Sequence, residues 1–216
     1  MRRRTTLIAI LCLLFTVLGQ PGCSRSNDVE TLSNRLEPLR VHRPNGDVAS
    51  ITFAEAMAYH HAHEDHHTHA AAARRGEARH EDGLCVGVAI GYQAIRYAAG
   101  VLFPNETPKA SDFELSTAGA IPGFWDILDL YAGRKLDRPK TKQERMSLES
   151  FTFTARRIST GKTLSFRLRE GLIAREFFKL KNSGVSCNDD RLEILKNRAV
   201  RKIFSTPPPE CFEMRR

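Results

Sequence analysis

Histidines are concentrated in one short stretch of this chain. The segment HHAHEDHHTH, from His60 to His69, holds six of the eight histidines in the sequence. On a helix, His60, His63 and His67 would lie on one face, and His63 and His67 would form an i, i+4 pair able to bind a divalent ion. Imidazole nitrogen is a ligand for zinc, copper and nickel. The stretch therefore predicts a transition-metal site, although any dense histidine tract produces such pairs.

The same stretch contains the letters of a zinc-protease motif. His63, Glu64 and His67 have the spacing H-E-x-x-H, in which two histidines bind zinc and the glutamate acts as a base. The sequence that follows begins with alanines where a third ligand would be expected, so the pattern does not favour a metalloprotease. An open zinc position that activates a bound water stays as an alternative, with Glu64, Asp65 or Glu81 as its candidate bases.

A cysteine lies in a glycine-flanked turn before the most apolar part of the domain. Cys85 is followed by Gly87 and Gly91, four residues apart, which let a helix begin very close to another part of the backbone. Residues 90–103 then predict a largely buried helix that ends near Pro104. A thiol at a helix N-terminus is favoured as a thiolate, so Cys85 is a candidate metal ligand. The alternative is that Cys85 is a small buried apolar residue.

Hydrophobic periodicity predicts an α+β fold. Thr52 and Glu55 form a capping-box pattern at the start of a helix, and a small-residue turn at Gly119–Gly123 precedes another helix. The run SFTFTARRISTGKTLSFRLRE alternates on both sides of Ser159–Lys162, as a β-hairpin does. With the helices that follow, this order predicts an antiparallel sheet packed with helices, in a single domain after an N-terminal signal.

The first residues have the order of an export signal. Three arginines precede an apolar run, Leu7–Leu18, which is too short to span about 30 Å of hydrocarbon as an untilted helix. The Gly-Cys-Ser that follows at 22–24 resembles a bacterial lipoprotein processing site. We therefore predict a signal peptide at 1–22, a lipid on Cys23 and a polar tether at 24–46, on the periplasmic or cell-surface side of a membrane. Simple secretion and a retained anchor are the alternatives.

The charge of the chain bears on its partners. The formal net charge is +8 at pH 7, and a basic surface attracts both nucleic acids and anionic lipid head groups. In an exported protein the lipid surface is the nearer partner, so we predict membrane contact and no nucleic acid. A homodimer stays open.

Disulfides are permitted outside the cytosol. Once Cys12 leaves with the signal and Cys23 carries a lipid, three of the five cysteines are left. Cys187 and Cys211 both lie in the C-terminal segment and could pair, which would leave Cys85 as the odd thiol.

Five segments occur in an order that resembles the FmdE-like family of formylmethanofuran dehydrogenase. They are TFAEAMAYHHAH, LCVGVAIGYQA, STAGAIPG, RRISTGKTLSFRL and ECFEM, and together they extend over about residues 51–214. In that family the histidines stand directly before the cysteine, whereas here an insertion at about 61–82 separates His60 from Cys85. The resemblance implies a domain at 47–216 that binds zinc or another divalent transition metal. It also implies His60, His63 and Cys85 as inherited ligands, with His67 and other histidines of the insertion as additions.

Two positions depart from the family pattern. Ala120 stands where the family has a cysteine, and Val86 replaces the proline that follows Cys85. The loss of one thiolate removes a ligand, so a histidine of the insertion must replace it or the site is degenerate. The sequence thus predicts an exported, membrane-tethered metal-binding protein. The alternatives are a metal-dependent hydrolase or a component of an enzyme complex, and an interaction protein with a degenerate site.

Overall fold

The structure is a computed structural model, and it describes residues 25–64, 83–138, 145–185 and 189–215. Four predictions fall outside these residues. They are the signal peptide, the lipid on Cys23, the metal ligand His67 and the partner role of Cys187 in a disulfide.

Helices and strands alternate irregularly along the described chain. The α-helices are α1 (Arg25–Ser33), α2 (Phe53–Glu64), α3 (Val86–Leu102), α4 (Pro122–Ala132), α5 (Arg175–Asn182), α6 (Asp190–Ser205) and α7 (Pro208–Cys211). The strands are β1 (Leu39–His42), β2 (Val48–Ile51), β3 (Phe113–Thr117), β4 (Thr152–Arg157), β5 (Thr163–Leu168) and β6 (Phe212–Met214), and a 3₁₀ helix (Leu148–Phe151) precedes β4. Strands β1 and β2 form one antiparallel pair, and β3-β4-β5-β6 form an antiparallel sheet in that order. The predicted α+β fold is confirmed.

Helix α3 is the central element of the core. Most of its side chains are buried, and it contacts α2, α4, α6 and α7. A Cβ on Gly87 would lie 2.8 Å from Cγ2 of Ile121, and a Cβ on Gly91 would lie 2.7 Å from Cγ2 of Ile127. Such distances are shorter than real carbon contacts. The two glycines therefore let α3 approach α4 closely, as their spacing predicted.

The start of α2 is fixed by the predicted capping box. The amide nitrogen of Thr52 donates to Oε2 of Glu55 over 2.7 Å, and the amide nitrogen of Glu55 donates to Oγ1 of Thr52 over 3.2 Å. These two bonds satisfy donors that a helix N-terminus would otherwise leave open. Helix α2 then extends through the first residues that the family resemblance assigns to the insertion and ends at Glu64.

The predicted β-hairpin is also present, as β4 and β5. Its connection is held to the rest of the domain by Asp112, which accepts hydrogen bonds from the amide nitrogen of Ser159 over 2.6 Å and from Oγ of Ser159 over 2.7 Å. The STGK letters that supported the family resemblance thus form a structural turn.

The polar tether predicted for 24–46 is not observed from Arg25 onward. This segment contains α1 and β1, and Leu32, Leu39 and Val41 are buried in the core. Leu39 and Val41 alternate with polar residues, so the segment is polar on average although one face of β1 is apolar. The folded domain therefore begins before residue 47.

Cys211 lies deep in the core. It is a free thiol in the structure, and its Sγ is 3.4 Å from the carbonyl oxygens of both Ile203 and Thr206. Burial raises the pKa of Cys211 to about 11. Its predicted disulfide partner, Cys187, lies outside the described residues.

None of the helices that the structure describes has both the length and the apolar character needed to cross a membrane.

Candidate functional site

A pocket of about 150 Å³ lies where the end of α2 meets the N-terminal ends of α3 and α4. The 3₁₀ helix, α5 and α6 complete its wall. Its polar lining residues are His60, His61, Cys85, Lys181 and Lys196. Two residues that the sequence proposed as ligands, His60 and Cys85, therefore line the same cavity.

The ring of His60 is held by a buried carboxylate. His60 is 3 % exposed, and its Nδ1 donates a hydrogen bond to Oδ2 of Asp126 over 2.6 Å. A carboxylate only accepts hydrogen bonds, so the proton of the neutral ring lies on Nδ1 and the lone pair on Nε2. The ring is thus in the tautomer that a metal ligand or a base requires.

Asp126 is in turn held by Arg138. Nη2 of Arg138 donates to Oδ1 of Asp126 over 2.7 Å and to Oδ2 of Asp129 over 2.9 Å. Burial alone would raise the pKa of Asp126, but hydrogen bonds from His60 and Arg138 outweigh it and hold that pKa below its usual value. The carboxylate is therefore ionised at neutral pH and orients the imidazole.

Cys85 is the N-cap residue of α3 and is half-buried. Its side chain makes no capping hydrogen bond to the helix. Its Sγ lies 2.8 Å from the place where a Cβ on Gly123 would stand. Gly123 therefore gives the thiol its room at the first turn of α4.

Helix α4 brings the thiol and the imidazole together. Gly123, beside Sγ of Cys85, and Asp126, bonded to His60, are three residues apart on this helix. Residues at this spacing are neighbours on one helical face, about 5–6 Å apart. The thiol and the histidine therefore occupy adjacent places along α4, although they are far apart in the sequence.

The other histidines at the end of α2 have different environments. Nε2 of His61 donates to the carbonyl oxygen of Gly83 over 3.2 Å, and both residues line the pocket. His63 is exposed, stacks on Tyr59 with ring centroids 4.0 Å apart, and donates from Nδ1 to the carbonyl oxygen of Tyr59 over 2.8 Å. The structure thus brings His60 and Cys85 together and leaves His63 outside the pocket wall.

Two donors are fewer than a zinc ion takes. Structural zinc sites have four ligands, and catalytic ones have three protein ligands with water. The residues described here contain no group of three or more histidine, cysteine or acidic side chains placed to hold a metal. The pair has the donor chemistry for zinc, and any further ligands must come from elsewhere.

Sequence reasoning missed the residues that position His60. Asp126 follows Trp125 within an apolar helix, and Asp129 lies one turn further on. A buried acidic residue in such a helix must be paired, which is a signal that the sequence offered. Their common partner, Arg138, lies in an irregular segment and gives no such signal.

Ala120, where the resembled family has a cysteine, is exposed, but the next residue, Ile121, lines the pocket. A longer side chain at 120 would thus start beside the cavity.

Comparisons with protein-family models, with curated proteins and with solved structures found no match. The resemblance to the FmdE-like family therefore stays a prediction. The function of this chain has to be inferred from its own geometry.

Proposed function

We propose that this protein is an exported, membrane-tethered protein that binds a transition-metal ion, preferentially zinc, through His60 and Cys85. One observation carries the proposal. These two residues line a single pocket, and the Nδ1 atom of His60 is bonded to the buried carboxylate of Asp126. Imidazole nitrogen and thiolate sulfur are the ligands that zinc prefers.

The surroundings of His60 support its role as a ligand. Histidines that bind metals usually donate their second ring nitrogen to a carboxylate, which fixes the ring and raises its basicity. Asp126 supplies that carboxylate, and Arg138 keeps it in place. A ring held in this way is already oriented before a metal arrives.

The remaining ligands would come from the histidine-rich segment. This segment leaves α2 after Glu64 and rejoins the described chain at Gly83, and the bond between His61 and Gly83 joins its two ends at the pocket. By sequence it contains four further histidines: His66, His67, His69 and His80. We propose that His67 or another of these completes the coordination, while His63 could take part only by leaving Tyr59.

Export and lipid attachment rest on the sequence before the described domain. The first 22 residues have the arginines and the apolar run of a signal peptide, and Cys23 follows in a lipoprotein-like context. The domain begins with α1 at Arg25. A lipid on Cys23 would thus hold the domain close to the membrane, and mass spectrometry of the mature N-terminus would detect it.

The test of metal binding is metal content. The protein, purified without a histidine tag, should contain nearly one equivalent of zinc, and both Cys85→Ser and His60→Ala should lose it. Cys211→Ala and His42→Ala are matched controls that should keep it, because neither residue lines the pocket. Absence of metal from the parent after exposure to zinc, copper and nickel would contradict the proposal. Metal kept by both pocket variants would contradict the role of His60 and Cys85.

Ala120 favours a second candidate, an interaction protein with a degenerate site. The family pattern has a cysteine at this position beside the pocket, and the chain has lost it. A ligand that binds the folded state raises the melting temperature, so a melting temperature unchanged by zinc would support this candidate.

A further inference from the structure

We propose that Cys85 is also a nucleophile that accepts an acyl group, with His60 as its base. The pocket would then have thiol acyl-transfer activity when no metal is bound. This inference goes beyond metal binding, because it needs neither an ion nor any residue of the histidine-rich segment.

The placement of the two residues carries the first step. Sγ of Cys85 lies beside Gly123, and His60 is bonded to Asp126 one turn later on α4. Both line the same cavity of about 150 Å³. A nucleophile and a base at adjacent positions can therefore reach one bound substrate.

The orientation of the base carries the second step. Activated nucleophiles in enzymes have three parts, which are the nucleophile, a base and a group that orients the base. Asp126 orients His60 through Nδ1, so that the lone pair for proton transfer lies on Nε2. Arg138 holds Asp126 from its other carboxylate oxygen.

The N-terminus of α3 supplies the third step. The first amide nitrogens of a helix have no acceptor within the helix, and they stabilise negative charge. Helix α3 is 17 residues long, and its N-cap side chain, that of Cys85, leaves these donors uncapped. An oxyanion that forms on a carbonyl attacked by Cys85 would lie next to the amides of Val86 and Gly87.

The shape and charge of the pocket limit the substrate. Its apolar wall includes Ile121, Phe151 and Phe177, and two lysines, Lys181 and Lys196, lie among its polar residues. A cavity of this size admits a compact apolar body, up to about the size of a benzene ring. We infer a small acyl group carried by an ester or thioester.

The reaction balances without any further reagent. The thiol proton of Cys85 passes to Nε2 of His60 as Sγ forms a bond to the carbonyl carbon. The bond from that carbon to the ester oxygen breaks, and the leaving alcohol takes the proton from the imidazolium. Water, with His60 again as base, then hydrolyses the thioester and restores the thiol.

The experiment uses the full chain, treated with EDTA, and 4-nitrophenyl acetate. One equivalent of nitrophenol should be released in a burst, and peptide mass spectrometry should find the acetyl group on Cys85. Cys85→Ala should abolish the burst. His60→Asn keeps a side-chain N–H for Asp126 but has no base, so it should acylate about 10²–10⁴-fold more slowly. Cys211→Ala is the matched control and should acylate like the parent, since Cys211 lies in the core.

Acetyl groups spread over lysines without preference for Cys85, or an unchanged rate in a folded His60→Asn, would overturn the proposal. Zinc separates this inference from the proposed function. If zinc binds at Cys85, its addition should block acetylation. Acetylation of Cys85 that zinc does not affect would uphold the nucleophile and refute the metal site, whereas bound zinc with no acetylation of the EDTA-treated protein would do the reverse.

Discussion

The contact between α3 and α4 can be tested with two glycines of the same helix. Gly91 faces α4, where a Cβ would lie 2.7 Å from Cγ2 of Ile127 and 3.3 Å from Cα of Phe124. Gly100 is on the exposed side of α3, and a Cβ there would meet nothing within 4 Å. Alanine at both positions therefore adds the same atom to the same helix in opposite environments.

The two substitutions should change stability in opposite directions. Alanine in place of a helical glycine gains about 1 kcal/mol of helix propensity, so Gly100→Ala should stabilise the protein by about 0.5–1 kcal/mol. Overpacking costs about 1–3 kcal/mol, and the upper part of that range applies to Gly91→Ala because the backbone of Phe124 cannot turn aside. After the propensity gain, Gly91→Ala should lose about 1–2 kcal/mol, so the variants should differ by about 2 kcal/mol.

Urea unfolding at 25 °C measures this difference. Trp125 is the chain's one tryptophan and lies 7 % exposed in α4, so its fluorescence reports on the contact directly. Free energies of unfolding in water follow from linear extrapolation. Equal stabilities for Gly91→Ala and Gly100→Ala would refute the close approach of the two helices, and with it the geometry that places Gly123 beside Cys85.

Four further predictions concern the site and its supports. Asp126→Asn should lower zinc affinity about 10–100-fold in a chelator competition, because the imidazole loses its charged partner; unchanged affinity would contradict the orienting role. The pKa of Asp126 is lowered by bonds from His60 and Arg138 that outweigh burial, so its contribution to stability is complete above its unfolded pKa of about 4 and is lost as the pH falls through its folded pKa. Between pH 5 and about pH 2 the parent should therefore lose melting temperature that Asp126→Asn does not lose, and parallel curves would count against this. Asp112→Ala should cost about 1–2 kcal/mol in urea unfolding, because the β4-β5 turn loses its acceptor, while zinc content stays unchanged. Iodoacetamide at pH 8 should leave Cys211 unmodified in the folded protein, because burial raises its pKa to about 11; rapid alkylation there would show that the core around β6 opens.

Local patterns were predictable from the sequence, and contacts between distant segments were not. The capping box of Thr52 and Glu55 and the turn between β4 and β5 each depend on residues a few positions apart, and both were predicted. The glycines of α3 indicated a close approach, but their sequence does not say that α4 is the partner. The order of elements was enough for the α+β class.

The site was predictable only in part for the same reason. Histidine and cysteine have few other roles at such positions, so His60 and Cys85 could be selected by residue type. Asp126 is 66 residues from His60, and nothing local shows that the two side chains meet. Averaging over polar residues likewise concealed β1, whose apolar residues occupy one face of a short strand.

The hydrogen bond from His61 to Gly83 has a consequence for how this protein can change during evolution. It fixes the two ends of the segment 65–82 next to each other. The entropy cost of closing a loop between fixed ends rises by only about 0.6 kcal/mol for each doubling of its length. Insertions, deletions and changes in histidine number within this segment would therefore cost the fold little. The metal capacity of the protein could thus diverge quickly between lineages while α2, α3 and α4 keep the geometry of the pocket.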